Sequence, residues 1–252
     1  MLKMFDDVKL PKKITPSPIA ESVFEIRFES DIPDTAFAGI YLPIIKQYFN
    51  GDDPEELPIL QLPSIIRKSD PSLKFQPYYR LTNDGLCMAF GPNSISFNCL
   101  APYKGWQIWS KFFFDILKDI GNLKIFENTS ITRLGLRYID QFSNNIFDKI
   151  KLNCTISDND FITNNTQLRT EFNEDDVNVV LQIFSGVMLD NDTIGSTYDI
   201  DCLLNYNKKL LDFIKSKNLS LVLERLHIIN KRYFFGMLKE DFFDSLKPEW
   251  ED

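Results

Sequence analysis

Residues 74–98 constrain the fold of this chain more than any other stretch. "KFQPYYRLT" runs into the turn "NDG", "LCMAF" into the turn "GPN", and "SISFN" follows. Short apolar segments separated by clusters of Asn, Asp, Gly and Pro read as an antiparallel meander. Such turns join neighbouring strands directly, whereas parallel strands need long crossovers. Two other segments alternate with a period of two. In "ESVFEIRFES", Phe24, Ile26 and Phe28 point one way, and Glu21, Val23, Glu25, Arg27 and Glu29 the other. In "ITRLGLRYID", Leu134, Leu136 and Tyr138 share a face opposite Arg133, Gly135, Arg137 and Ile139. Each is a strand with one apolar side.

Helical spacing is clearest in "YKGWQIWSKFFFDILKDIGN", where Trp106, Trp109, Phe113, Ile116, Leu117 and Ile120 recur along one stripe, giving a helix over 105–120 that stops at Gly121. A helix over 33–49 is expected too, with Asp31 as its cap, Pro33 in its first turn and a kink or split at Pro43. "NGDDPEELP" is a loop by composition. Beyond 145, "DKIKLNCTI", "NTQLRTEF", "VNVVLQIFSGVML" and "YDIDCLLNY" read as strands, with "NEDD" as an acidic turn. "NKKLLDFIKSKN" and "LSLVLERLHIINKRYFFGMLKEDFFDSL" read as helices, the second with a stripe of Leu219, Val222, Leu226, Ile229, Tyr233 and Met237 and a stop at Pro248. Residues 1–18, with prolines at 11, 16 and 18, form an irregular arm.

No strand–helix–strand alternation occurs, which disfavours a parallel doubly wound sheet. The expectation is an α+β fold: a curved, mainly antiparallel sheet with helices packed on one face and a long C-terminal helix. The 252 residues suffice for a single domain, with two loosely similar halves, about 19–145 and 146–252, as the alternative.

Composition excludes several function classes. The net charge of -8 opposes attraction to a phosphate backbone, so direct nucleic-acid binding is not expected, while a basic protein partner is permitted. The sequence contains neither a signal-peptide h-region nor a long uninterrupted apolar run, so the expectation is a cytoplasmic protein without a membrane span. Cys87, Cys99, Cys154 and Cys202 are scattered without a CxxC pair, and the chain has 1 histidine, so the cysteines read as reduced and mostly buried, with no metal site and no cofactor expected.

Neither a GxGxxG nor a GxxxxGK[ST] phosphate loop occurs, nor a GxSxG elbow. His227, beside the apolar stripe of the last helix, has no evident acid or nucleophile for general-base chemistry. Asp199 and Asp201, two residues apart on one strand face, could hold a hard cation, which makes a metal-dependent nuclease or hydrolase a third reading. The arginines carry the most chemistry. Arg137 can pair with Glu21 or Glu25 if the two alternating strands are neighbours, a surface ion-pair row. Alternatively Arg27, Arg133 and Arg137 line a groove for a phosphate or carboxylate, because the guanidinium is a planar fork of donors. Gly135 suits a bulge or a close approach.

"PSPIAESVFEIRF", "LCMAFGPNSISFN", "PYKGW" and "ITRLGLRYID", in that order, resemble a sporadically distributed bacterial family marked by PxxPIxExVxEIRF, GPN, YxGW and RxGLRY, and "LERLHIIN" resembles its late helix. Glu21, Glu25, Arg27, Gly135, Arg137 and Tyr138 fall on those motifs. No catalytic residues are carried over from the resemblance. The family's scattered occurrence implies defence-related neighbourhoods. It leads to a non-enzymatic cytosolic protein acting through a protein partner, such as a phage-defence accessory subunit or a toxin-neutralising protein. A ligand-binding sensor with an arginine-lined anion pocket is the alternative.

Overall fold

A computed structural model describes residues 4–123, 126, 129–153, 155–156, 159–160, 165–189, 192–216 and 218–250. Eleven strands and six α-helices occur among them. Nine strands form one open antiparallel sheet, as the meander and the missing crossovers predict. The strands are β1 (Ile19–Glu29), β2 (Glu55–Glu56), β3 (Tyr79–Asn83), β4 (Leu86–Phe90), β5 (Ser94–Leu100), β6 (Ser130–Phe142), β9 (Gln167–Glu174), β10 (Val177–Met188) and β11 (Ile194–Lys209). Their order across the sheet is β2-β3-β4-β5-β1-β6-β11-β10-β9. β7 (Thr155–Ile156) and β8 (Asn159–Asp160) form a separate two-stranded ribbon. No helix is long and apolar enough to cross a membrane among the described residues.

The chain divides into two compact units, each assembled from separated segments. The meander unit comprises Val23–Gly135 and Leu204–Leu223, and the terminal unit Met1–Ser22, Leu136–Leu203 and Glu224–Asp252.

In the meander unit the turns act as expected. Gly85 at φ 74 closes the β3–β4 hairpin, and Leu81↔Met88 and Met88↔Phe97 set the registers. β3 starts at Tyr79, two residues past Pro77, since proline donates nothing to a ladder. The apolar face of β1 is fully buried at Phe24, Ile26 and Phe28. α3 (Trp106–Ile120) packs its predicted stripe there, with Phe113 4.9 Å from Phe24 between ring centres. Fully burying such side chains contributes roughly 1.5–3 kcal/mol each.

α1 (Phe37–Ile45) begins later than Asp31 and Pro33 suggest: Ala36 donates to the Pro33 carbonyl in a turn, and the N-cap residue is Ala36. Pro43 lies inside α1, and the helix tightens into a 3-10 turn only at Lys46–Phe49. The acidic loop after it contributes Glu55–Glu56 to the sheet edge. A short helix, α2 (Ser64–Ser69), follows with no buried residue.

In the terminal unit "NEDD" makes a tight hairpin, with Glu174 paired to Val177 and Asp175 at φ 55. "DKIKLNCTI" is not a continuous strand. Asn145 accepts from the Phe147 N–H and opens a 3-10 turn over Ile146–Lys149, and Ile150 forms a single bridge to Leu238. Strand geometry returns at Thr155–Ile156, and Cys154 lies outside the described residues. The helical run after β11 divides into α4 (Leu210–Lys215), α5 (Asn218–Met237) and α6 (Glu240–Ser245). From Arg232 to Leu238 every residue is buried. There Tyr198 donates to the Tyr233 carbonyl at 3.2 Å and Asn230 to the Ile200 carbonyl at 2.8 Å. The N-terminal arm is held to α5 as well: Arg232 pairs with Asp6 at 2.5 Å and with buried Glu174, and Phe5 lies edge-on to Tyr233.

Candidate functional site

The arginines sit where period-two alternation places them, on the strand faces opposite the buried rows, but the contact expected of Arg137 with Glu21 or Glu25 is replaced by one with Asp199, and Glu25 pairs with Arg27 and Arg133. In the terminal unit Arg137 makes a two-pronged contact with Asp199 on β11. Nε donates to Oδ1 at 2.8 Å and Nη2 to Oδ2 at 2.6 Å. Gln182 on β10 adds a third donor to Oδ2 at 3.1 Å. The Asp199 side chain is 5% exposed and that of Arg137 40%. The Asp199 hydrogen bonds push the Arg137 pKa further up against burial, with Asp201 and Glu21 adding smaller pulls. Glu21 therefore acts on Arg137 through its field, and the contact belongs to Asp199.

In the meander unit Glu25 serves two arginines. Arg27 Nε donates to Glu25 Oε2 at 2.7 Å, and Arg133 Nη2 donates to the same oxygen at 2.6 Å. All three side chains are 22–29% exposed. Arg27 lies over the Phe75 ring, 5.0 Å from its centre, and Lys74, paired with Glu29 at 2.6 Å, reaches the same ring at 5.3 Å. Arg133 Nε is buried with no hydrogen-bond partner among the described residues.

The other predicted positions are placed as follows. Gly135 is buried inside β6. Tyr138, buried, shares a 3.0 Å hydrogen bond between its hydroxyl and Nδ1 of His227. Burial first, and Lys231 second, push the His227 pKa down to about 3, so the imidazole is neutral near pH 7. Asp199 turns its carboxylate to Arg137 and Gln182, and Asp201 is half-buried two residues along. Among the described residues no three His, Cys, Asp or Glu side chains converge as ligands. Cys87, Cys99 and Cys202 are buried and form no disulfide among the described residues, and burial pushes the Cys99 and Cys202 thiols up.

Sequence reasoning missed Gln182, Phe75 and Asp140. Gln182 is the one polar residue inside "VVLQIF", a signal that could have marked it. Asp140 continues the row of Leu134, Leu136 and Tyr138 and is 3% exposed, and burial, with Asp199 second, holds its pKa well above the ordinary carboxylate range. The strand alternation was sufficient to place it inward. Comparison with known proteins finds no matching family model and no matching curated protein.

Proposed function

We propose that this protein works by docking a protein partner, through the surface excursion that precedes β3. From Gly51 to Pro77 no residue is buried. The excursion is nevertheless built: Leu57 donates to the Tyr78 carbonyl, the Asp70 side chain accepts from Ser72 N–H at 2.8 Å, and turns satisfy much of the rest. At its centre Leu62, Ile65 and Ile66 are 38%, 75% and 44% exposed. Holding three aliphatic side chains in water on an ordered turn leaves unused roughly 1.5–3 kcal/mol of burial for each. That exposure is the observation which carries the proposal.

The flanking charge defines the partner. Residues 57–69, "LPILQLPSIIRKS", contain Arg67 and Lys68 and no acid, in a chain of net charge -8. Arg67 is stiffened over the Tyr78 ring at 4.8 Å, and Lys68 faces Asp34 at 3.8 Å. Arg67 and Lys68 beside the aliphatic anchors match an apolar cleft with acidic groups on its rim, although Glu56 and Asp70 bound the segment. A defence-system accessory subunit or a toxin-neutralising protein, the roles the family resemblance implies, would both act through such a surface.

Affinity purification of the native protein beside an I65E/I66E variant tests this. The expected result is a stoichiometric acidic-rimmed partner, lost from the variant and released by salt. Identical recoveries from the two proteins would overturn it. So would self-association of the purified chain that I65E/I66E abolishes, which would make a second copy the occupant.

A further inference from the structure

We infer that Arg27 and Arg133, held by Glu25, form a binding subsite for a phosphoryl group on the meander unit. The excursion at 57–69 takes no part in it, and the subsite stands apart from the docking proposal.

Three observations lead to it. The first is charge. Two guanidiniums meet one carboxylate, both on the same oxygen, and neither arginine makes another ion pair among the described residues. One positive charge is left over, and the nearby Lys74 is neutralised by Glu29. The second is donor supply. A guanidinium carries five N–H donors, and Glu25 accepts from one nitrogen of each. Arg133 Nε is buried and outside a ligand's reach, so the donors on offer are the terminal nitrogens of the two side chains, which are 26% and 29% exposed. The third is preorganisation. Glu25 fixes both forks, and Phe75 backs the Arg27 plane at 5.0 Å, so little side-chain freedom remains to be lost on binding. The exposures of 22–29% keep the cluster partly out of water, where salt screens it less.

The geometry also selects the ligand. The two arginines stand on β1 and β6, adjacent strands in the sheet order. Two forks rising from separate strands call for an anion whose acceptor oxygens point in more than one plane. A carboxylate, with two coplanar oxygens, fills both nitrogens of at most one fork, as Asp199 does with Arg137, and Glu25 reaches two arginines only through one nitrogen of each. A phosphoryl group offers three oxygens in a tetrahedral array and can bridge both. Arg137 is excluded from the subsite, because Asp199 already occupies its fork with both oxygens.

The test is calorimetric titration of the full chain with inorganic phosphate and phenyl phosphate, beside acetate and benzoate, at constant ionic strength. Saturable one-site binding of both phosphates is expected. R27Q and R133Q should each weaken it at least tenfold, with R169Q, an exposed ion-paired arginine of the terminal unit, unchanged. R27K/R133K retains the charges on Glu25, and so the fold, but loses the forks; it should weaken phosphate several-fold. Absence of saturable phosphate binding by the native protein overturns the inference. Equal affinity for acetate or benzoate overturns the choice of ligand, and native affinity in folded R27K/R133K overturns the role of the forks.

Discussion

The two units solve one problem, an arginine on a polar strand face, in opposite ways. In the terminal unit Arg137 meets a carboxylate that is 5% exposed, with both nitrogens of its fork engaged and Gln182 completing the acceptor. In the meander unit Glu25 is divided between Arg27 and Arg133 and remains partly wet. A one-to-one pair on a buried carboxylate locks two strands together and leaves that fork no capacity for a ligand. A shared carboxylate orients two cations without neutralising them. The same residue type is therefore structural in one unit and chemically available in the other, and what decides is the ratio of acids to bases and their depth.

The sharpest way to break this comparison is to remove each acid. D199N leaves Arg137 facing an amide in a site closed on the Asp199 side. Losing one partner of a buried pair costs about 3–5 kcal/mol, and the 40% exposure of Arg137 lowers this to about 2–4 kcal/mol. Urea unfolding should show the loss as a lower midpoint at constant slope. E25Q leaves two guanidiniums that water can reach, and about 1 kcal/mol is expected. Equal losses would mean that depth does not separate the two clusters.

Acid sharpens the contrast next. The shifted carboxylates of the meander unit, Glu29, Asp53 and Asp70, are exposed and lowered, by Lys74, by Lys46 and by Ser72 respectively. Their contribution is present above the unfolded carboxylate pKa and is lost as pH falls through the folded value. The terminal unit has lowered carboxylates of the same kind, Glu171 beside Arg169 and Asp176 beside Arg225, and in addition carries His227 and Asp140, whose contributions have opposite signs. His227 has a folded pKa of about 3, so below about 6.5 the unfolded chain takes up a proton that the folded chain refuses, and stability falls with pH. Asp140, raised, contributes stability that is complete below the unfolded carboxylate pKa and is lost as pH rises through the folded one. As pH falls towards the unfolded carboxylate pKa the two oppose each other. H227Q should therefore gain on the native protein by up to about 1.4 kcal/mol per pH unit on acidification, and D140N should move the opposite way. Parallel pH profiles for all three proteins would show that neither group is buried as described.

How much of this was legible in the sequence depended on the range of the interaction. β1, β6 and α3 were legible because periods of 2 and 3.6 are written in neighbouring residues, and the β3–β4–β5 meander because Asn-Asp-Gly and Gly-Pro-Asn fix their turns locally. Strand register was not. Glu25 and Arg133 are 108 positions apart and Arg137 and Asp199 are 62 apart, so no local pattern assigns Glu25 to Arg133 and Asp199 to Arg137. A pair of aspartates at i, i+2 reads as a cation site only while the facing strand is unknown. The 148–156 segment has strand-like alternation, but Asn145 captures its start in a tight turn, Ile150 makes a single bridge to Leu238, and ladder pairing returns only at Thr155–Ile156. α2 gave no signal because its six residues are too short for a helical period, and its apolar residues face water.

Salt gives the smallest and most selective effect. At 0.15 M ionic strength charges are screened beyond about 8 Å, and at 1 M beyond about 3 Å. Ions reach a partly wet cluster far more readily than a carboxylate that is 5% exposed. The E25Q loss should therefore shrink by about half between 0.05 and 1 M NaCl, a few tenths of a kcal/mol, as ions screen the two freed guanidiniums from each other. The D199N loss should be unchanged, because it comes from an unmet hydrogen-bonding fork on a closed strand face, which bulk ions do not satisfy. A D199N penalty that fades with salt in step with E25Q would place Asp199 in the same solvent-coupled class as Glu25, and the phosphoryl subsite could then no longer be assigned to Arg27 and Arg133 to the exclusion of Arg137.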